Sequence, residues 1–219
     1  MQRRNMKRIL LVILLITVML SCENSRELTI PNKDLSYKDG IVQYKGKAYT
    51  GKINMKKLND KEQYEQGFMN IKNGHLEGVT ELKNEMIGTY FKFNVKKGKL
   101  DGEYILEHPK IGDLKMLFED GQLKKLSGKL PNNINEDLTI DKDGNVNGTF
   151  EQDGQKLEFK NGLVDEDGLK VKMYIDKETG QKMITEVYQD DKTVSKGEAI
   201  ILFSIKDFET AMLPSVAVK

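Results

Sequence analysis

The chain has 219 residues, with 35 Lys and Arg against 34 Asp and Glu, and is 38% hydrophobic and 32% charged. That balance excludes the clustered basic surface of a nucleic-acid binder, and the apolar share is too small for a thick two-sided core, which favours an extended, open sheet. Cys22 is the only cysteine, so no disulfide can form within the chain.

Met1 to Arg8 carries Arg3, Arg4, Lys7 and Arg8 without an acid, and Ile9 to Leu20 is a twelve-residue apolar run broken only by Thr17. A spanning helix needs about 20 apolar residues and a secretory segment roughly 7–15, so residues 1–21 are predicted to be a signal peptide and the protein to be exported. The stretch Val18-Met19-Leu20-Ser21-Cys22 resembles a bacterial lipobox, in which the cysteine receives a diacylglyceryl group. Met19 and Leu20 depart from that pattern, while Ser21 and Cys22 fit it. The resemblance implies lipidation at Cys22, a tether over 22–27 and anchoring to a bacterial membrane of the cell envelope without a spanning helix. Loss of residues 1–21 leaves 31 basic against 34 acidic side chains, a net charge of −3.

Leu28 to Ile30 is predicted to begin the first strand, which Pro31-Asn32 breaks. Beyond it one phrase recurs: Gly, any residue, an apolar residue, any residue, Gly. It stands as NGHLEG (Gly74, Gly78), KGKLDG (Gly98, Gly102) and DGNVNG (Gly144, Gly148), with looser copies at GKAYTG, GQLKKLSG and GLVDEDG. The leading glycines Gly74, Gly98, Gly121 and Gly144 are spaced by 24, 23 and 23 residues, the signature of a structural repeat. The first glycine of each pair suits a type I′ hairpin turn, where both central residues take positive φ. The second suits a bulge or a close approach between units.

Between these turns the residues alternate. Phe91, Phe93 and Val95 fall on one face with Lys92, Asn94 and Lys96 on the other, and Leu169 to Ile175 repeats the pattern. Isolated hairpins are marginal in water, so units over residues 28–195 must stack to share one apolar face. The predicted fold is all-β, an elongated antiparallel β-hairpin array of meander or solenoid-like character, completed over 196–219 by a strand and a short C-terminal helix as cap. Ser204 to Asp207 reads as a capping box opening that helix and Pro214 as its close, with Phe208, Ala211 and Met212 on one side. The cap is expected along the terminal edge of the array.

The run DGIVQYKGKAYTGK, with NGHLEG and KGKLDGEY following at a spacing in the twenties, resembles the bacterial MORN-repeat-variant family, whose members are often labelled YwqK-like antitoxins. The resemblance covers residues 35–125 well and 137–170 more loosely. It implies a β-hairpin repeat protein and brings no catalytic residues; the cytoplasmic antitoxin role attached to the label conflicts with an export signal.

Chemistry is sparse. His75, within a turn phrase, and His108, before Pro109, read as surface loop residues. Asp141, Asp143 and Asn145 start like a calcium loop, but Val146 and Gln152 stand where glycine and a bidentate glutamate are needed. No catalytic or metal-binding residues, no cofactor and no nucleic-acid partner are expected. The reading is a membrane-anchored, non-enzymatic protein-binding or scaffolding module for another envelope protein, with Tyr90 and Tyr174 as exposed aromatics on polar faces. The alternatives are an immunity protein neutralising a toxin and a hydrolase of envelope polymers using paired carboxylates.

Overall fold

The computed structural model describes residues 26–56, 66–166, 169–176, 178, 180–200 and 204–217. The leader, Cys22 and residues 201–203 of the apolar run after Glu198 lie outside the described residues. Among the described residues, nineteen strands form three sheets, followed by one α-helix and a 3₁₀ turn.

The first strand, β1, is Arg26–Thr29, and a small sheet holds β2 (Leu35–Lys38), β3 (Ile41–Tyr44) and β4 (Lys47–Ala48). The large sheet continues through β5 (Gly51–Lys56), β6 (Gln66–Lys72), β7 (His75–Asn84), β8 (Thr89–Lys96), β9 (Lys99–Leu100), β10 (Gly102–His108) and β11 (Gly112–Glu119). It ends with β12 (Gln122–Leu130), β13 (Ile134–Ile140), β14 (Val146–Gln152) and β15 (Gln155–Phe159). A third sheet holds β16 (Leu163–Glu166), β17 (Leu169–Ile175), β18 (Lys182–Gln189) and β19 (Lys192–Ile200). The helix, α1, is Ile205–Met212, and Leu213–Ala217 is the 3₁₀ turn.

The large sheet is an antiparallel meander from β5 onward, as the alternating pattern predicts. One pairing departs from it: β1 runs parallel to β5, with Arg26 opposite Gly51. The strand thus starts two residues earlier than expected and forms the array's first edge. Tyr49 fixes this edge, its hydroxyl donating to the Arg26 carbonyl at 2.6 Å with the Lys52 carbonyl at 3.1 Å.

The type I′ reading of the turns is met at Asn73-Gly74 (φ 52° and 85°), Lys97-Gly98 (53° and 72°) and Asp120-Gly121 (50° and 83°). These turns line one end of the sheet and are bonded to each other. The Gly74 N–H donates to the Tyr49 carbonyl, Gly121 to Leu100 and Gly162 to Val146, each at 2.8 Å. The residue just before the second glycine supplies a further acceptor, so the phrase's unspecified last position carries a function. Thr50 Oγ1 accepts from the Asn73 N–H (3.0 Å), Glu77 Oε2 from Lys97 (3.0 Å), Asp101 Oδ1 from Asp120 (3.3 Å) and Asn147 Oδ1 from Asn161 (2.7 Å).

Gly144 corrects the expectation. Its φ is 82°, but Asp143 before it has no positive φ, and the Gly144 N–H donates to the Asp141 carbonyl, so this turn is not type I′. The preceding unit has Lys124 where the others have an acceptor, and this turn caps itself: Asp141 Oδ1 accepts from the Asp143 and Asn145 N–H groups at 2.8 and 2.9 Å. Burial works against the charge of the Asp141 carboxyl, yet these donors hold it below the usual carboxylate range. The calcium-loop resemblance is therefore accounted for by turn chemistry.

The second glycines divide in role. At Gly78 the β6–β7 register shifts around Asn70, as a bulge would require. At Gly148 the register is unbroken, and a Cβ would collide with the Asp137 carbonyl. At Gly102 a Cβ would meet nothing, and only its φ of 92° asks for glycine.

The apolar residues of successive units stack into one core: Ile71 opposite Leu76, Val95 opposite Leu100 and Phe118 opposite Leu123, all buried. The helix cap is present, but it lies on the face of the large sheet and not along its terminal edge. Phe208 packs on Phe93 with ring centroids 5.3 Å apart and on Phe91 at 5.6 Å, while Leu213 and Val216 bury with the rest of the core. A face of buried aromatics offers more apolar area to an amphipathic helix than a strand edge does, which accounts for the difference. The Ser204–Asp207 capping box is present, and the α-helix ends at Met212, ahead of Pro214. Phe208 and Met212 are buried as expected, but Ala211 is exposed and Glu209 takes the third buried position.

Candidate functional site

His75 is not a loop residue: it opens β7, and its Nδ1 lies 3.1 Å from Glu209 Oε2 on α1. Glu209 Oε1 accepts the buried Leu76 N–H at 2.8 Å. One carboxylate thus ties the helix to the sheet. These residues border a cleft of about 790 Å³ that also takes in Lys72, Lys97, Lys206, Asp39 and Glu77. Both signs of charge are interspersed there, which is the pattern of a solvated seam.

The other side of α1 is different. A groove of about 490 Å³ runs between the helix and the sheet, walled by Phe91, Tyr104, Leu106, Phe208 and Met212. Two hairpin tips frame it at the end of the sheet opposite the turn ladder: Asn84 to Gly88 between β7 and β8, and His108 to Ile111 between β10 and β11. In the first tip the Asn84 side chain accepts the Met86 and Ile87 N–H groups at 3.0 and 3.2 Å, so the loop is built around one buried amide. The tips touch, since a Cβ on Gly88 would lie 3.3 Å from Pro109 Cγ. Their apolar side chains stay in water: Met86 is 58% exposed, Ile87 46% and Ile111 46%. An exposed apolar patch of this kind, continuous with an apolar cavity, marks an interaction site.

Besides Tyr104 and the helix-capping Asp207, two polar residues of the sheet line the groove, Thr89 and His108. Thr89, 6% exposed, has a hydroxyl with no hydrogen-bond partner among the described residues. His108 lines the groove beside Thr89, at the end of the paired strand β10, and its Nδ1 accepts the Lys110 N–H at 3.1 Å, which leaves the ring proton on Nε2 as a donor. His108 therefore has a place in the site that the sequence does not announce.

The aromatics expected as exposed handles are half-buried instead. Tyr174 donates to Glu186 Oε1 at 3.1 Å, and Tyr188 donates to Glu186 Oε2 at 2.6 Å, so both hydroxyls are spent within the third sheet. Tyr90 is half-buried on β8, where burial first, and then the charge of Glu81, pushes its phenol above the ordinary value. The structural glycines lie away from the groove, at the ladder end. Met86, Ile87 and Ile111 were missed because each sits in a turn; the available signal was apolar residues where turn chemistry calls for polar ones. Among the described residues no helix is long and apolar enough to cross a membrane, and no cluster of His, Cys, Asp and Glu could hold a metal ion. No family model matches the chain, and neither the curated proteins nor the solved structures contain a match.

Proposed function

We propose that this is an envelope lipoprotein, anchored through Cys22, that acts as a protein-binding repeat module in the manner of MORN-variant arrays. The observation that carries the reading is the apolar groove with its exposed rim of Ile87 and Ile111, next to the exposed Met86. Its location supports a protein partner over the protein's own membrane. Arg26 pairs with Gly51, which pairs with Ile71 beside the Asn73-Gly74 turn, so the described chain begins at the ladder end. Arg26 is four positions after Cys22, at most ~14 Å of extended chain. The groove stands at the far end of strands such as β7, whose ten residues span about 33 Å. An anchored molecule then holds its apolar rim away from the bilayer.

The test is a photo-crosslinker placed at Lys110 in the native host, with membranes probed for adducts in the wild type, Ile87→Asp and Cys22→Ala. The reading expects one discrete protein adduct, lost in Ile87→Asp while the variant folds normally, and release of Cys22→Ala from the membrane fraction or failure of its processing. An adduct unchanged by Ile87→Asp rejects the groove, and a processed Cys22→Ala that stays with membranes rejects the lipid anchor. A toxin as the cross-linked partner would convert the module into an immunity protein.

A further inference from the structure

Resting on the groove reading above, we infer that the partner enters the groove as the apolar face of an amphipathic α-helix, not as an added strand and not as an acyl chain. The groove's floor comes from β8 and β10, and both strands are paired on both sides: β8 with β7 and β10, and β10 with β8 and β11. Its wall is α1, whose N-terminus is closed by the Ser204–Asp207 capping box. No strand edge is therefore open to a peptide. An extended segment laid here would bury its own N–H and C=O groups against Phe91, Tyr104, Leu106 and Phe208 without partners, which is unfavourable for each such group. A helix satisfies its backbone internally and presents only side chains at i, i+3, i+4 and i+7.

The polar groups of the site discriminate further. The Thr89 hydroxyl is buried and has no hydrogen-bond partner among the described residues, and His108 follows Glu107, the partner of Tyr90, at the end of the neighbouring strand β10, which places it beside Thr89. Two neighbouring hydrogen-bonding groups in the floor suit a side chain such as Ser, Asn or Gln among apolar anchors; an uninterrupted hydrocarbon chain would leave both unsatisfied. At the rim, Lys110 is exposed and has no ion-pair partner among the described residues. The complementary helix carries an acidic residue on its flank, next to the apolar stripe.

The experiment uses the chain without its leader and three probes: a sixteen-residue peptide with Leu at i, i+3, i+4 and i+7, one Asn among them and Glu on the flank; the same peptide with a central Pro; and palmitate. Each competes with an apolar fluorescent dye, 1-anilinonaphthalene-8-sulfonate, whose groove-bound signal is defined as the part lost in Ile87→Asp. The inference expects the helical peptide to displace the dye at a concentration at least tenfold lower than the proline version, and Lys110→Glu to reduce that advantage. Equal displacement by both peptides overturns the helix; displacement by palmitate alone assigns the groove to acyl chains and overturns the inference while the groove stands. Dye binding unchanged in a folded Ile87→Asp removes the groove itself, and the proposed function with it.

Discussion

Removing the Glu209 carboxylate is the sharpest test of how α1 is held. Glu209 is buried, and its Oε1 accepts the N–H of Leu76, itself 1% exposed. In Glu209→Ala that N–H loses a charged acceptor, worth about 1.5–3 kcal/mol, and is left without a partner in the core. The bond to His75 adds little, because the imidazole is 55% exposed and pairs of that kind are worth ~0–1 kcal/mol. The expected loss is about 2–3 kcal/mol. Glu209→Gln keeps an amide oxygen at the Oε1 position and should lose less than half as much. Urea melts at pH 7, followed by near-ultraviolet circular dichroism of the Phe91, Phe93, Tyr104 and Phe208 cluster, measure both variants against one slope. If Glu209→Ala loses under about 0.5 kcal/mol, or no more than Glu209→Gln, the Leu76 bond does not hold the helix and the account of the cap is wrong.

Gly98 has φ 72° with open space around its Cβ position, so Gly98→Val should cost only backbone strain, about 1–3 kcal/mol by urea melt, and more than His75→Ala, at under about 1 kcal/mol; the reverse order would show the turn to be dispensable. Gly148→Ala should destabilise more than Gly102→Ala, because only the former meets a carbonyl oxygen, that of Asp137, and equal losses would mean that φ alone selects the second glycine. Burial, opposed by Arg26, pushes the Tyr49 phenol up to about 12. Since a folded-state value above the unfolded one favours the neutral phenol, its contribution is complete below pH ~10 and is lost as pH rises toward 12. Tyr49→Phe should be less stable at pH 7 but show a shallower alkaline decline; a parallel decline would place the alkaline sensitivity elsewhere.

Much of the fold was legible because turns and alternation are local. Positive φ at Asn73-Gly74 follows from two adjacent residues, and the burial of Phe91, Phe93 and Val95 follows from their period of two. The Gly144 turn was misjudged because its geometry depends on what the neighbouring unit offers, and Lys124 offers no acceptor. The candidate site was almost wholly illegible. Met86 and Ile87 lie 25 and 24 residues from Ile111, and more than a hundred from Phe208, and no spacing in the chain relates them.

The amino-acid sequence by itself determined the repeating unit: a glycine whose φ permits the hairpin and an apolar residue that the alternation turns inward. Each is a property of a few bonded neighbours, so it survives translation from one unit to the next. Tertiary structure alone decided where the C-terminal helix goes. Ser204 and Asp207 specify that a helix starts, but its landing place on Phe91, Phe93 and Tyr104, the engagement of Glu209 with Leu76 and the groove left along its other side arise from contacts across more than a hundred residues. Such contacts follow from which apolar surfaces remain uncovered once every strand has paired, and that remainder exists only in the folded sheet.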